Sequence, residues 1–163
     1  MRARVLAVAV LGVVACRYQP SPVLLQGTRP EIAGLAGDWS GEYSGMQSGR
    51  TGSISLRVIA GRDTAFGDVV MVGNTGQRLV AADDAREHLA HARSADVLRM
   101  TFVRVAEGRV SGALEPYTAP DCQCVVSTTF SGAVQGDVIE GTFVTRAAGG
   151  LEQTGRWRVT RQR

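Results

Sequence analysis

The sequence predicts an all-β protein, an eight-stranded antiparallel up-and-down β-barrel, on three observations. Short segments in which apolar and polar residues alternate follow one another from Gly37 onward, which is the pattern of half-buried antiparallel strands. Most of the connections are short and contain glycine, as is typical of hairpins. Glycines also lie inside the segments, where a closing sheet has to bend sharply. A two-sheet β-sandwich is the alternative architecture.

Eight strands are predicted, each within a few residues of its stated bounds. They are 37–45, 51–59, 64–72, 97–105, 108–115, 124–134, 137–146 and 151–161. Pairing of the last strand with the first would leave the sheet without free edges. The longest interruption, residues 73–96, contains the helix-forming run AREHLAHA. It is predicted to form a short helix or a lid.

One face of the predicted strands carries the large apolar side chains, because successive residues on a strand point to opposite sides of the sheet. The main residues expected in the barrel interior are Trp39, Tyr43, Leu56, Met100, Phe102, Phe143 and Trp157. A small eight-stranded barrel is either filled by its own side chains or holds one small ligand. Since these side chains are large, we expect a largely filled interior.

The first 15 residues have the organisation of an export signal. Arg2 and Arg4 form a positive amino-terminal region, and an apolar run follows from Val5 to Val14. This run is too short for a membrane span, which needs roughly 20 apolar residues, but it has the length of a secretory signal. Residues 1–15 are therefore predicted to be a signal peptide.

The end of this signal, Val13-Val14-Ala15-Cys16, resembles the lipobox of bacterial lipoproteins. The resemblance implies attachment of a diacylglyceryl group to the Cys16 thiol, cleavage after Ala15 and acylation of the new amino terminus, for example with palmitate. Ordinary signal cleavage is the alternative, since Val13 and Ala15 also satisfy its small-residue rule. The lipid would anchor the mature protein in the cell envelope without spanning the membrane.

The residue after the cysteine is Arg17, whereas an aspartate at this position retains well-studied lipoproteins in the inner membrane. We therefore expect an outer-membrane lipoprotein that faces the periplasm. Residues 16–36 contain scattered prolines and glycines without a clear period, and are predicted to form the lipidated end and a flexible tether. The barrel domain is assigned to residues 37–163.

The charge of the chain is too weak and too dispersed to indicate a nucleic-acid partner. Removing Arg2 and Arg4 with the signal from the 18 basic residues leaves 16 against 15 acidic residues. A nucleic-acid-binding protein would instead carry a clustered basic face. The membrane, reached through the lipid, is the partner that the sequence predicts.

Cys122 and Cys124 form the first candidate site. With Cys16 acylated, these are the two remaining cysteines, and an oxidising periplasm favours a disulfide between them. Two strand residues at this spacing lie near the upper limit for such a bridge, so it would require a tight turn. Free thiols, intermolecular pairing and a redox or metal role are the alternatives.

Asp84, His88 and His91 form the second candidate site. On a helix these residues would share one face, and could present two imidazoles and a carboxylate to a metal ion. The spacing is not that of a zinc peptidase. A solvated helical face is the alternative interpretation.

The opening of the first strand, Gly37-Asp38-Trp39, is similar to the Gly-x-Trp start of lipocalins and avidin-like barrels, the calycin type. Segments such as GRVSG and GDVIEGTF also resemble many bacterial barrel lipoproteins. The resemblance implies that a late arginine, Arg156 or Arg158, packs over Trp39. It covers roughly residues 37–161.

No catalytic motif is present in the sequence, and no cofactor is predicted. The first functional hypothesis is a non-catalytic envelope lipoprotein that binds a protein partner or the cell wall through loops at one barrel mouth. The second is a lipocalin-like carrier of a small apolar ligand. A metal-binding protein that uses the histidine-bearing loop comes third. The expected filled interior favours the first hypothesis.

Overall fold

The computed structural model describes residues 20–59, 62–72 and 95–163, which form ten strands and one short helix. In chain order these elements are β1 (Pro22–Gln26), α1 (Arg29–Gly34), β2 (Gly37–Gly45), β3 (Thr51–Val58), β4 (Thr64–Val72), β5 (Ala95–Ala106), β6 (Arg109–Leu114), β7 (Tyr117–Ala119), β8 (Cys124–Gln135), β9 (Val138–Ala147) and β10 (Glu152–Arg161).

Nine of the strands close into a barrel in the order β6-β5-β1-β4-β3-β2-β10-β9-β8, and the pairing of β6 with β8 completes the ring. Strand β7 is an extra strand that pairs with β8. One end of the barrel, here called the mouth, carries the connections 46–50, 120–123 and 148–151. The opposite end, called the closed end, carries α1.

The predicted all-β class and barrel are confirmed, but the strand count differs from eight. The additional strands are β1, inside the predicted tether, and β7. Strand β1 lies between β4 and β5, antiparallel to β4 and parallel to β5, while β4 and β5 pair directly nearer the mouth. Both strands were missed because the prolines near them are typical of turns and tethers. Pro22 begins β1, a position that tolerates proline, and Pro116 and Pro120 flank β7.

Helix α1 also lies within the predicted tether. Its start has a capping box, in which the backbone N–H of Thr28 donates to Glu31 Oε2 at 3.0 Å. Ile32 and Leu35 are buried against the barrel core, so this segment covers the closed end. Residues 22–34 of the predicted tether therefore form a strand and a helix that pack on the barrel. Among the residues described, no helix is both long and apolar enough to cross a bilayer.

Trp39 fixes the closed end. It is 1% exposed, and its indole Nε1–H donates to the carbonyl of Leu35 at 2.8 Å. The guanidinium of Arg161 lies over the indole at 4.3 Å from the ring centroid, and also donates to the carbonyl of Gly34 at 2.8 Å. The same arginine thus connects the last strand of the barrel to α1.

The arginine that packs over Trp39 is Arg161. The resemblance had implied Arg156 or Arg158 for this contact. In the ladder of β2 with β10, Trp39 lies directly opposite Arg161, and opposite residues share one face of a sheet. Arg156 and Arg158 are exposed and alternate with buried Trp157 and Val159. They therefore point away from the interior.

Phe102 is a further correction, because it does not belong to the barrel interior. The register of β5 against β6 shifts between Met100 and Phe102, and such an irregularity reverses the alternation of the strand. Val103 and Val105 are buried after the shift. Phe102 instead lies opposite Leu24, whose side chain is 50% exposed.

Two glycines inside the barrel make room for aromatic rings. A Cβ atom on Gly132 would lie 2.6 Å from the Trp157 ring, and one on Gly155 would lie 2.2 Å from the Phe143 ring. These distances are shorter than van der Waals contact, so only glycine fits. The intrastrand glycines that favoured a barrel thus allow aromatic side chains to lie flat against neighbouring strands.

Replacing Gly155 with alanine is expected to destabilise the protein by about 1–3 kcal/mol, because the methyl group would overpack the interior against Phe143. Urea unfolding measures the change. Gly149→Ala is the matched control, since a Cβ there meets no atom within 4 Å. Equal stability of the two variants would contradict this packing.

Candidate ligand site in the barrel interior

The barrel interior contains a cavity between the closed end and the mouth. Its volume is about 90 Å³. Its apolar wall includes Ile54, Leu56, Val69, Leu98, Met100 and Val110. The interior is therefore not completely filled, in contrast to the expectation from the size of its side chains.

Aromatic side chains line one part of this cavity as two edge-to-face pairs. The ring centroids of Tyr43 and Phe143 are 5.7 Å apart, and those of Phe130 and Trp157 are 5.8 Å apart. The indole N–H of Trp157 has acceptors in the carbonyls of Ser131 and Thr142, at 3.2 and 3.1 Å. The rings are thus held in place by neighbours and leave the central space open.

The structure places most of the predicted interior residues around this cavity. Those that line it are Tyr43, Leu56, Met100, Phe143 and Trp157. Trp39 is buried at the closed end.

Arg50 is the main polar residue at the mouth, and it ends the connection between β2 and β3. Gly49, with φ +61°, precedes it, and the backbone N–H of Gly45 donates to its carbonyl at 2.7 Å. This tight turn directs the Arg50 side chain into the cavity wall. The residue is only 6% exposed, which is unusual for an arginine.

Partners from distant parts of the chain surround the Arg50 guanidinium. Its Nη2 donates to Gln153 Oε1 at 2.6 Å and to Asp121 Oδ2 at 3.2 Å. Its Nη1 lies 3.6 Å from the sulfur of Met71. Strands β4 and β10 and the connection before β8 therefore meet at this one side chain.

Asp121 is the counter-ion of Arg50. Burial by itself raises the pKa of this carboxyl. The hydrogen bond from Gln153 and the Arg50 charge outweigh that effect and lower its pKa below the ordinary value of 3.8.

Asp121 precedes Cys122 and Cys124, which the structure joins in a disulfide with Cα atoms 5.1 Å apart.

The lowered pKa of Asp121 predicts that this residue stabilises the folded protein in a pH-dependent way. Folding favours the ionised carboxylate, so Asp121 stabilises the protein fully above its ordinary pKa of 3.8. This stabilisation is lost as the pH falls through the lower pKa of the folded state. Because the side chain is 36% exposed, solvent screening limits the effect to about 1 kcal/mol or less. Asp121→Asn should lose this contribution.

Urea unfolding of the two proteins between neutral and acid pH measures this difference. The free energies of unfolding should differ at neutral pH and approach each other below pH 3.8. A difference that stays constant down to the acid end would contradict the lowered pKa.

Four hydroxyl groups extend the polar part of the cavity wall. The Thr128 and Thr145 hydroxyls are hydrogen-bonded at 2.8 Å, and the Tyr117 hydroxyl lies 3.3 Å from Thr128 Oγ1. Burial is the main cause that raises the pKa of Tyr43, and the proximity of Tyr117 raises it further. The phenol therefore stays neutral and remains a donor. The cavity thus has an apolar floor and hydrogen-bonding groups toward the mouth.

Two buried groups at this polar end have no hydrogen-bond partner among the residues described. They are the Tyr43 hydroxyl and the Arg50 Nε. Buried polar groups are normally hydrogen-bonded, and an unpaired one is costly. These two donors therefore indicate where a ligand acceptor would be stabilised.

The other predicted sites lie outside the described residues. This applies to the signal peptide, to Cys16, and to Asp84, His88 and His91 with the predicted lid around them. Within the described part of the chain, no cluster of three or more histidine, cysteine or acidic side chains could hold a metal ion.

No protein-family model matches this chain, and no curated protein matches it in sequence. The functional conclusion therefore depends on the cavity and its residues. Sequence reasoning missed Arg50, which stands in the run QSGRTG and has the pattern of an exposed turn residue. Its partners Asp121 and Gln153 are 71 and 103 residues away, so local sequence carries no signal of their association.

Proposed function

We propose that this protein is a non-catalytic carrier that binds a small, mostly apolar molecule inside its barrel. The cavity of about 90 Å³ carries the proposal, because protein interiors are close-packed and leave few voids larger than a water molecule. Apolar cavities in proteins stay dry and accept apolar ligands. This is the second of the functional hypotheses drawn from the sequence.

The volume sets the size of the ligand. An apolar cavity of roughly 150 Å³ binds one benzene molecule. The cavity of about 90 Å³ therefore holds the apolar part of a molecule of at most similar size. This corresponds to a short alkyl chain or a small ring.

Among the described residues, the two barrel ends differ in how they are covered. Helix α1 with Ile32, and Leu35 after it, cover the closed end. At the mouth, Ser48 and Arg50 of the connection 46–50 line the polar end of the cavity. A ligand entering at the mouth would place its apolar part inward. Its polar part would then lie beside Arg50.

A neutral apolar probe tests this function directly. The Cys16→Ser protein, purified from the periplasm without its lipid, should have a higher Tm in the presence of 1-octanol, because a ligand that binds only the folded state stabilises it. The gain should rise with probe concentration and saturate. An unchanged or lower Tm at every concentration would contradict a cavity that binds apolar molecules.

The carrier would be held at the outer membrane, facing the periplasm, through lipid on Cys16. The lipobox-like residues and the apolar run before them support this part of the proposal. Only residues 17–21 separate Cys16 from β1. A chain of that length spans at most about 20 Å, so the barrel would lie close to the membrane surface, where it could exchange amphiphilic molecules.

Replacing Cys16 with serine is expected to move essentially all of the protein from the membrane fraction to the soluble periplasm. Each buried methylene of a lipid chain contributes about 0.8 kcal/mol, and two or three chains hold a protein firmly. Cell fractionation with immunoblotting measures the distribution. A wild-type protein that is already soluble would contradict the anchor.

Binding of an envelope protein at the mouth is a second candidate function. Three apolar side chains near this end are exposed, Met46 by 68%, Val125 by 63% and Leu151 by 64%. A photoreactive side chain at Leu151 should crosslink one defined envelope protein in intact cells. The same group at Arg158, on the outer wall, should not; equal crosslinking from both positions would contradict a specific contact.

A further inference from the structure

Two hydrogen-bond donors inside the barrel have no acceptor in the described part of the chain. Arg50 is more than nine-tenths buried, and its Nε–H is unpartnered, as is the hydroxyl of Tyr43. Both residues line the same cavity. The two donors therefore lie at the boundary between the apolar space and the mouth.

The other donors of the Arg50 guanidinium show why Nε is the open position. Nη2 is occupied by Gln153 and Asp121, and Nη1 contacts the sulfur of Met71. A guanidinium has five N–H donors in a fixed planar arrangement. The partners hold this plane in place, so the Nε–H is the guanidinium donor that remains for a ligand in the cavity.

The positive charge of Arg50 is only partly balanced on the cavity side. Its counter-ion Asp121 makes one contact, at 3.2 Å, and its side chain is 36% exposed, against 8% for Arg50. Water therefore screens the carboxylate more than the guanidinium. A second anionic group would be attracted to the buried side of Arg50.

We propose that the ligand is a monocarboxylate with a short alkyl chain, whose head group accepts hydrogen bonds from Arg50 Nε–H and Tyr43 O–H. Its alkyl chain lies among Ile54, Leu56 and Met100. The inference rests on the proposed carrier function and specifies the ligand class. It also assigns Arg50 and Tyr43 as the residues that recognise the head group.

A carboxylate suits these donors better than a neutral head group does. Its oxygens only accept hydrogen bonds, so both donors can be satisfied at once. Hydrogen bonds to an ionised group are shorter and roughly twice as strong as those between neutral groups. An alcohol or a primary amide is neutral and gains no such charge-assisted hydrogen bond from Arg50.

Titration calorimetry with hexanoate and hexanamide tests the head group, because the two molecules have nearly the same shape and differ in charge. With the Cys16→Ser protein at neutral pH, hexanoate should bind about tenfold or more tightly. Equal affinities, or a preference for hexanamide, would overturn the carboxylate assignment.

Two variants locate the head group. In Arg50→Gln and in Tyr43→Phe, the ratio of hexanoate to hexanamide affinity should fall toward one. Tyr43→Phe removes only a hydroxyl that has no hydrogen-bond partner among the described residues, so it is the variant expected to fold normally. Arg156→Gln, on the exposed outer face, is the charge-matched control and should keep the wild-type ratio.

The outcomes separate this inference from the carrier function on which it rests. If 1-octanol and hexanamide bind but hexanoate has no advantage, the carrier function holds and the head-group assignment is wrong. If no probe binds, both are wrong. An unchanged ratio in folded Arg50→Gln and Tyr43→Phe proteins would overturn the assignment of these two residues.

Discussion

Replacing Trp39 with alanine is expected to destabilise the protein by about 3–5 kcal/mol, as is typical when a buried tryptophan is truncated. The indole is 1% exposed, donates a hydrogen bond to Leu35 and lies beneath the Arg161 guanidinium. Its removal would leave a hole where α1 meets the barrel, and would leave the Leu35 carbonyl without its donor. The closed end should therefore loosen first.

Urea unfolding followed by circular dichroism measures this loss. Arg161→Met and the double variant complete a mutant cycle, and the two changes should be non-additive because the side chains touch. Trp39→Phe keeps a ring at the same position and should lose less stability. A loss below about 1 kcal/mol for Trp39→Ala, close to that of a surface substitution, would contradict the role of this contact.

Filling the cavity is expected to abolish ligand binding. Leu98 lines the cavity and is 6% exposed, so Leu98→Trp would place an indole in the space that the ligand requires. The affinity for 1-octanol should fall by at least tenfold, which corresponds to about 1.4 kcal/mol of binding free energy. Titration with the probe measures the affinity.

Val97→Trp is the matched control for this variant. Val97 is the preceding residue on β5, but its side chain is 47% exposed on the outer face. It adds an indole to the same strand without entering the cavity and should keep the wild-type affinity. If both folded variants lose the affinity for 1-octanol, or if both keep it, the ligand does not occupy the space beside Leu98 inside the barrel.

The barrel could be predicted because its main signals are local. Alternation along a strand assigns side chains to two faces, and Trp39, Tyr43 and Trp157 pack with the core on the inner one. Glycine punctuation marks the hairpins. The signal fails where alternation itself is interrupted, as at the β5 irregularity that turns Phe102 outward.

Strand β1 and helix α1 were not predicted from the sequence, because proline occurs both in flexible tethers and at the start of regular elements. Proline is typical of tethers, but it is also tolerated at the first position of a strand and in the first turn of a helix. Pro22 begins β1 and Pro30 lies in the first turn of α1. The spacing of Thr28 and Glu31 was the available signal for the helix.

The candidate site was less predictable than the fold, because it forms only when distant strands meet. Arg50 stands in a turn, and its burial depends on Asp121 and Gln153 across the mouth. The cavity also depends on how the aromatic rings pack, which side-chain size alone does not determine. Filled and hollow barrels therefore share one sequence pattern.

Native mass spectrometry of the Cys16→Ser protein, recovered from the periplasm, tests the carrier function most directly. The native mass should exceed the mass of the denatured chain by one small molecule, and chemical analysis of the released material should identify a carboxylate with a short alkyl chain. A native mass equal to that of the bare polypeptide, together with no binding of added 1-octanol or hexanoate, would contradict ligand binding in the barrel.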